Sequence, residues 1–99
     1  MLYRHGDVLI ATVPNLPTQA NKRGGTILAR GEITGHSHRV QEIGAAQLYD
    51  FKLETYLEVK ASIATLVHEE HKPIKLPKGI YRVWMQREYT PTAIVTVRD

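Results

Sequence analysis

What most constrains this chain is the rhythm with which short, β-leaning runs are cut by glycine and proline. Residues 7–13 are rich in β-branched side chains and end at Pro14, after which residues 15–19 cannot continue a ladder. A second run over residues 26–32 is broken by Gly31 and then Gly35, as at a bulge or tight corner, and ends at the first histidine pair. Residues 38–43 and 48–51 read as strands around a short turn at residues 44–47. Residues 56–61 alternate with period two, and residues 62–67 continue as an apolar run up to His68. The spacing predicts two strands there, with a kink near Lys60. Pro73 and Pro77 bracket residues 74–76, Lys78 and Gly79 read as a turn, residues 80–89 make the longest strand, and residues 92–97 close the chain. No stretch of ten or more residues carries a capped helical period. The expected fold is therefore all-β, a small barrel or sandwich of about seven to nine short strands. Residues 44–57 could hide one short helix.

At 99 residues the chain has room for one core, so residues 1–99 are expected to form a single β domain. Hydrophobic residues at 42% and charged residues at 23% are globular values. With no long apolar run and no secretion leader, the expectation is a soluble cytoplasmic protein without membrane association. The absence of cysteine excludes disulfides and thiolate zinc sites, which leaves nitrogen and oxygen as the strong metal ligands. A net charge of +3 mildly favours anionic partners, small molecules or nucleic acid. A small β domain buries little surface, which favours a homodimer through a sheet edge or apolar face.

The chemistry concentrates in the histidines. Four of the five stand in two pairs, His36 with His38 and His68 with His71, and His5 is a spare candidate. Residues two apart on a strand share a face, so His36 and His38 can reach one ion if the segment is extended. His68 and His71, three apart, lie on opposite faces of a straight strand and need a bend to converge, which Lys72 and Pro73 make plausible. Together the four could hold a divalent transition metal: zinc, manganese, iron or nickel. Three ligands would leave a catalytic position, four would close the site, and one of the pair His68 and His71 could instead orient a ligand. Glu69, with Glu70 and Glu32 as alternatives, could take a proton from an activated water, and Arg87 or Arg39 could neutralise developing charge.

His36, Ser37 and His38, followed by a second histidine cluster and by the segment from Leu76 to Gly79, resemble the cupin pattern over about residues 31 to 83. The resemblance implies a metal centre inside a small β-barrel, with Glu42 in the place of the cupin glutamate. The function expected is a metal-dependent hydrolase or nuclease acting on an anionic, phosphodiester-like substrate. The alternative is a non-catalytic β module that holds nucleic acid or protein on a basic face, with Trp84 and the tyrosines available for stacking. No zinc finger, helix-turn-helix, phosphate loop or nucleophile elbow is present.

Overall fold

A computed structural model describes residues 1–30 and 35–86 and contains eight strands. They are β1 (Leu2–His5), β2 (Val8–Val13), β3 (Asn21–Arg23), β4 (Ile27–Arg30), β5 (Ser37–Val40), β6 (Ala46–Phe51), β7 (Glu54–His68) and β8 (His71–Met85). All pairings are antiparallel and join one sheet, ordered β1-β2-β8-β7-β5-β4, with β6 paired to β7 and β3 to β6. The sheet curls into a half barrel. The all-β expectation is what forms. The strand expected over residues 92–97, together with Glu32, Arg87 and Tyr89, lies outside the described residues.

No helix occupies residues 44–57. That window is the β6–β7 hairpin, registered from Ala46 opposite Val59 to Phe51 opposite Glu54. Its period-two pattern prevails because Leu48 and Leu57, directly paired, both enter the core. Strands β1 and β3 were not expected from the sequence, being short and polar.

The two strands expected on either side of Lys60 are one strand, β7, and the kink is a bulge within it. Between the pairs Val59 with Gly79 and Ile63 with Pro77, residues 60–62 of β7 lie opposite residue 78 alone. The displaced N–H groups of Lys60 and Ala61 both donate to the Ala45 carbonyl, at 2.8 and 3.1 Å. Nor do the prolines bracket a separate segment, and Lys78 and Gly79 form no turn; β8 runs through all of them. The physical reason is local. β2 pairs only with residues 80–85 of β8, so Pro73 and Pro77 fall in the half whose described neighbour is β7 alone, where a missing donor breaks no second ladder.

Ile10, Leu48, Leu57, Val59, Ala64, Leu66, Leu76 and Tyr81 each expose 1% or less. Each buried side chain of leucine size contributes about 1.5–3 kcal/mol. On β8 the face carrying Tyr81, Val83 and Met85 packs into this core. Strand β8 also curls far enough that both its ends meet the β1–β2 turn. Gln86 N–H donates to the Asp7 carbonyl at 2.7 Å, while the Lys72 carbonyl accepts from His5 Nε2 at 3.0 Å. This curl builds the site. No helix among the described residues is long and apolar enough to cross a membrane.

Candidate metal centre

All five histidines of the chain gather in one place. Strand β7 ends and β8 begins around a two-residue turn, Glu69 and Glu70, so His68 and His71 become a directly opposed pair. The bend that their three-residue spacing required is therefore this hairpin, not the Lys72–Pro73 segment, and their ring centroids are 4.6 Å apart. Strand β5 lies beside the end of β7, with Arg39 opposite Val67, which sets the His38 ring 4.3 Å from His68 and 5.6 Å from His71. His36, just before β5, stacks edge-on to His68 at 5.7 Å. It lies just outside the strand that carries His38, and the two fall in different groups of converging ligand atoms.

Ligand atoms of His38, His68 and His71 all lie within 4.8 Å of one another, and those of His36, His68 and Glu69 form a second such group. Around a tetrahedral ion with bonds of about 2.0–2.2 Å, ligand atoms stand about 3.4 Å apart, so either set closes on an ion by small side-chain movement. His68 belongs to both sets. His38 is 2% exposed, and His68 and His71 are partly buried. Burial holds the His68 pKa below its ordinary value, with the charge that His71 or His36 would carry adding to the effect. A neutral imidazole is the form that ligates. One hydrogen bond works against His68: its Nδ1 accepts from the Glu70 N–H at 3.0 Å, which puts the proton of the neutral ring on Nε2. Ligation through Nε2 requires that proton to leave and breaks the Glu70 contact.

The carboxylates divide in role. Glu69 accepts from the Ser37 N–H at 3.0 Å through Oε1 and pairs with Arg39 at 2.9 Å through Oε2. The Ser37 hydrogen bond first, and the Arg39 charge among lesser causes, hold its pKa below the usual value. So tied, Glu69 is a weaker proton acceptor than an ordinary glutamate, and it pins the start of β5 to the β7–β8 turn. Glu70 stands 3.7 Å from His36 Nδ1, an atom shielded from solvent with no hydrogen-bond partner among the described residues. Glu42, the position suggested by the cupin resemblance, directs its carboxylate to Thr65, accepting from N–H at 2.8 Å and from the hydroxyl at 2.6 Å.

Asp7 and Gly6 escaped the sequence reading and the part played by His5 was not foreseen; all three lie in or beside the β1–β2 turn. His5, considered only as a spare ligand, is 2% exposed and holds His38, with the two Nδ1 atoms 2.9 Å apart. Asp7 places Oδ1 3.8 Å from His38 Nε2. Gly6, at φ +65°, lies under His71 so closely that a Cβ there would come within 2.6 Å of Nε2. The readable signal was Gly6-Asp7 itself, a glycine-led pair of the kind that closes two-residue hairpins, between residues 2–5 and 8–13.

Residues 4–86 match the family described as Domain of unknown function (DUF8820). The chain belongs to this family. The matched span includes all five histidines, both turns that carry them and all of the bulged β7–β8 pair. No curated protein and no solved structure matches the chain. The family description carries no activity and gives the cupin resemblance no support; the structure supports it only as far as a histidine cluster in a β-scaffold that could hold a metal.

Proposed function

We propose that this is a metal-binding protein in which His38, His68 and His71 hold one divalent transition ion, and that it acts as a hydrolase on an anionic, phosphodiester-like substrate. The observation that carries the reading is convergence: three ligand atoms within 4.8 Å, contributed by three different strands, beside two further imidazoles. Three nitrogen ligands leave a position for substrate or water. An ion there, whether zinc, manganese, iron or nickel, supplies Lewis acidity toward a phosphoryl oxygen and toward water.

The chain's own groups fit around that position. Arg39, held by Ser37 and Glu69, places a cation near it for an anionic group to meet. Glu70 rather than Glu69 is the carboxylate disposed to accept a proton, since its partner is the His36 ring rather than an arginine. His36 forms the outer wall, with its buried Nδ1 turned toward Glu70. The test is hydrolysis of bis(p-nitrophenyl) phosphate by protein stripped of metal and then reloaded with each of the four ions. The reading requires turnover that depends on the ion and falls by about 100-fold or more in Glu70→Gln, on the scale of general-base removal. Turnover equal in stripped and reloaded protein contradicts it.

A further inference from the structure

We propose that His5 is a positioning residue that selects Nε2 of His38 as the atom that meets the ion; this rests on the metal-site reading above. The argument is one of donors and acceptors. The Lys72 carbonyl can only accept, so the 3.0 Å contact with His5 Nε2 requires an N–H on that nitrogen. In a neutral His5 ring the other nitrogen, Nδ1, then carries the lone pair. It faces His38 Nδ1 at 2.9 Å, so His38 must donate, and its proton sits on Nδ1. In a neutral His38 ring the lone pair is thereby assigned to Nε2. These tautomers follow from the network and not from visible hydrogens.

Three features make the relay more than a packing contact. Both rings are 2% exposed, so water does not compete for these bonds and a mismatched tautomer would bury two donors or two acceptors face to face. The relay begins at a main-chain carbonyl adjacent to His71, so it ties His38 to the strand that supplies another ligand. Its far end, Nε2, looks toward the Asp7 carboxylate at 3.8 Å. Metal-ligating imidazoles generally owe their orientation to such a second hydrogen bond, and its loss weakens metal binding. His68 has the opposite arrangement, its lone pair being on Nδ1 toward Glu70. In the metal-free chain, His38 is the ligand already set and His68 the one that must be reset.

Two substitutions separate this role from ring size. His5→Gln can accept from His38 through its carbonyl and donate to Lys72 through its amide, whereas His5→Leu fills similar space and does neither. Zinc affinity is expected to stay within about threefold of wild type in His5→Gln and to fall about 10- to 100-fold in His5→Leu. Imidazole ¹⁵N shifts of the metal-free protein at neutral pH should show His38 protonated on Nδ1 in wild type and His5→Gln, and on Nε2 in His5→Leu. Protonation on Nε2 in the wild type overturns the relay, as does equal zinc affinity in wild type and His5→Leu. A wild type that takes up no zinc refutes the metal reading instead, and the ¹⁵N shifts still judge the relay. Should neither variant fold, the wild-type shifts decide it.

Discussion

Two polar clusters lie on the same sheet and are built on opposite principles. Around Arg23 the charges are complementary: the guanidinium donates to Asp50 Oδ2 at 3.0 Å and Oδ1 at 2.5 Å, and also to Thr55 Oγ1 at 3.0 Å. Each partner shifts the other toward its charged form, Arg23 upward and Asp50 downward, chiefly through the shared hydrogen bond. In the histidine cluster the groups are alike, with ring centroids 4.3 to 6.4 Å apart. Burial first, and then the charge that His71 or His36 would carry, oppose protonating His68. The Arg23 cluster is complete as it stands and can be structural. Convergent lone pairs from like groups gain most from a cation, which is what separates a brace from a binding site.

The largest expected effect that sharpens this contrast is a response to zinc. At a free concentration 100 times the dissociation constant, binding to the folded state alone stabilises it by about 2.7 kcal/mol, read as a rise in the urea midpoint reversed by chelator. The same increment should appear in Arg23→Ala and vanish in His38→Ala. Next is Gly6→Ala, which sets a methyl against His71 and forces alanine to positive φ. A loss of about 1–3 kcal/mol in denaturant titration is expected, together with weakened zinc binding. Wild-type zinc affinity in that variant would break the account of how His71 is held.

Acid should separate the two clusters. In metal-free protein the folded His68 pKa lies below its ordinary 6.5, so the unfolded chain binds more protons between those values. Stability then falls as pH is lowered through that window. Asp50 also has a depressed pKa, but its ordinary value is 3.8, so its contribution is intact above that pH and is lost only on further acidification. Melting temperature against pH should show an upper step that His68→Gln removes and a lower, carboxylate step, shared with Glu42 and Glu69, that Asp50→Asn reduces. The smallest effect is Arg23→Ala: the pair is 34% and 44% exposed, so about 0.2–1 kcal/mol is expected, with zinc binding untouched.

The fold class was legible because period-two runs and glycine or proline breaks are local signals. What stayed hidden was relational. Pro73 and Pro77 read as breakers, and only the absence of a second described neighbour beside that half of β8 makes them tolerable. The spacing of His68 and His71 announced that a bend was needed, yet its place at Glu69 and Glu70 depends on the β7–β8 register. His5 showed no spacing signal toward the other histidines, since a curled strand 66 to 80 residues further along the chain returns to meet it. Glu69 looked like a base beside the metal, and only the position of Arg39 and the Ser37 N–H reveals it as a strap.

The central claim, that the histidine cluster is a metal site, is tested most directly by metal content. Wild type and a His38→Ala/His68→Ala double variant would be equilibrated with limiting zinc, dialysed together and measured by inductively coupled plasma mass spectrometry. The account predicts close to one ion per wild-type chain and essentially none in the variant, with both folded by circular dichroism. Equal zinc in the two proteins, or none in the wild type, would contradict it.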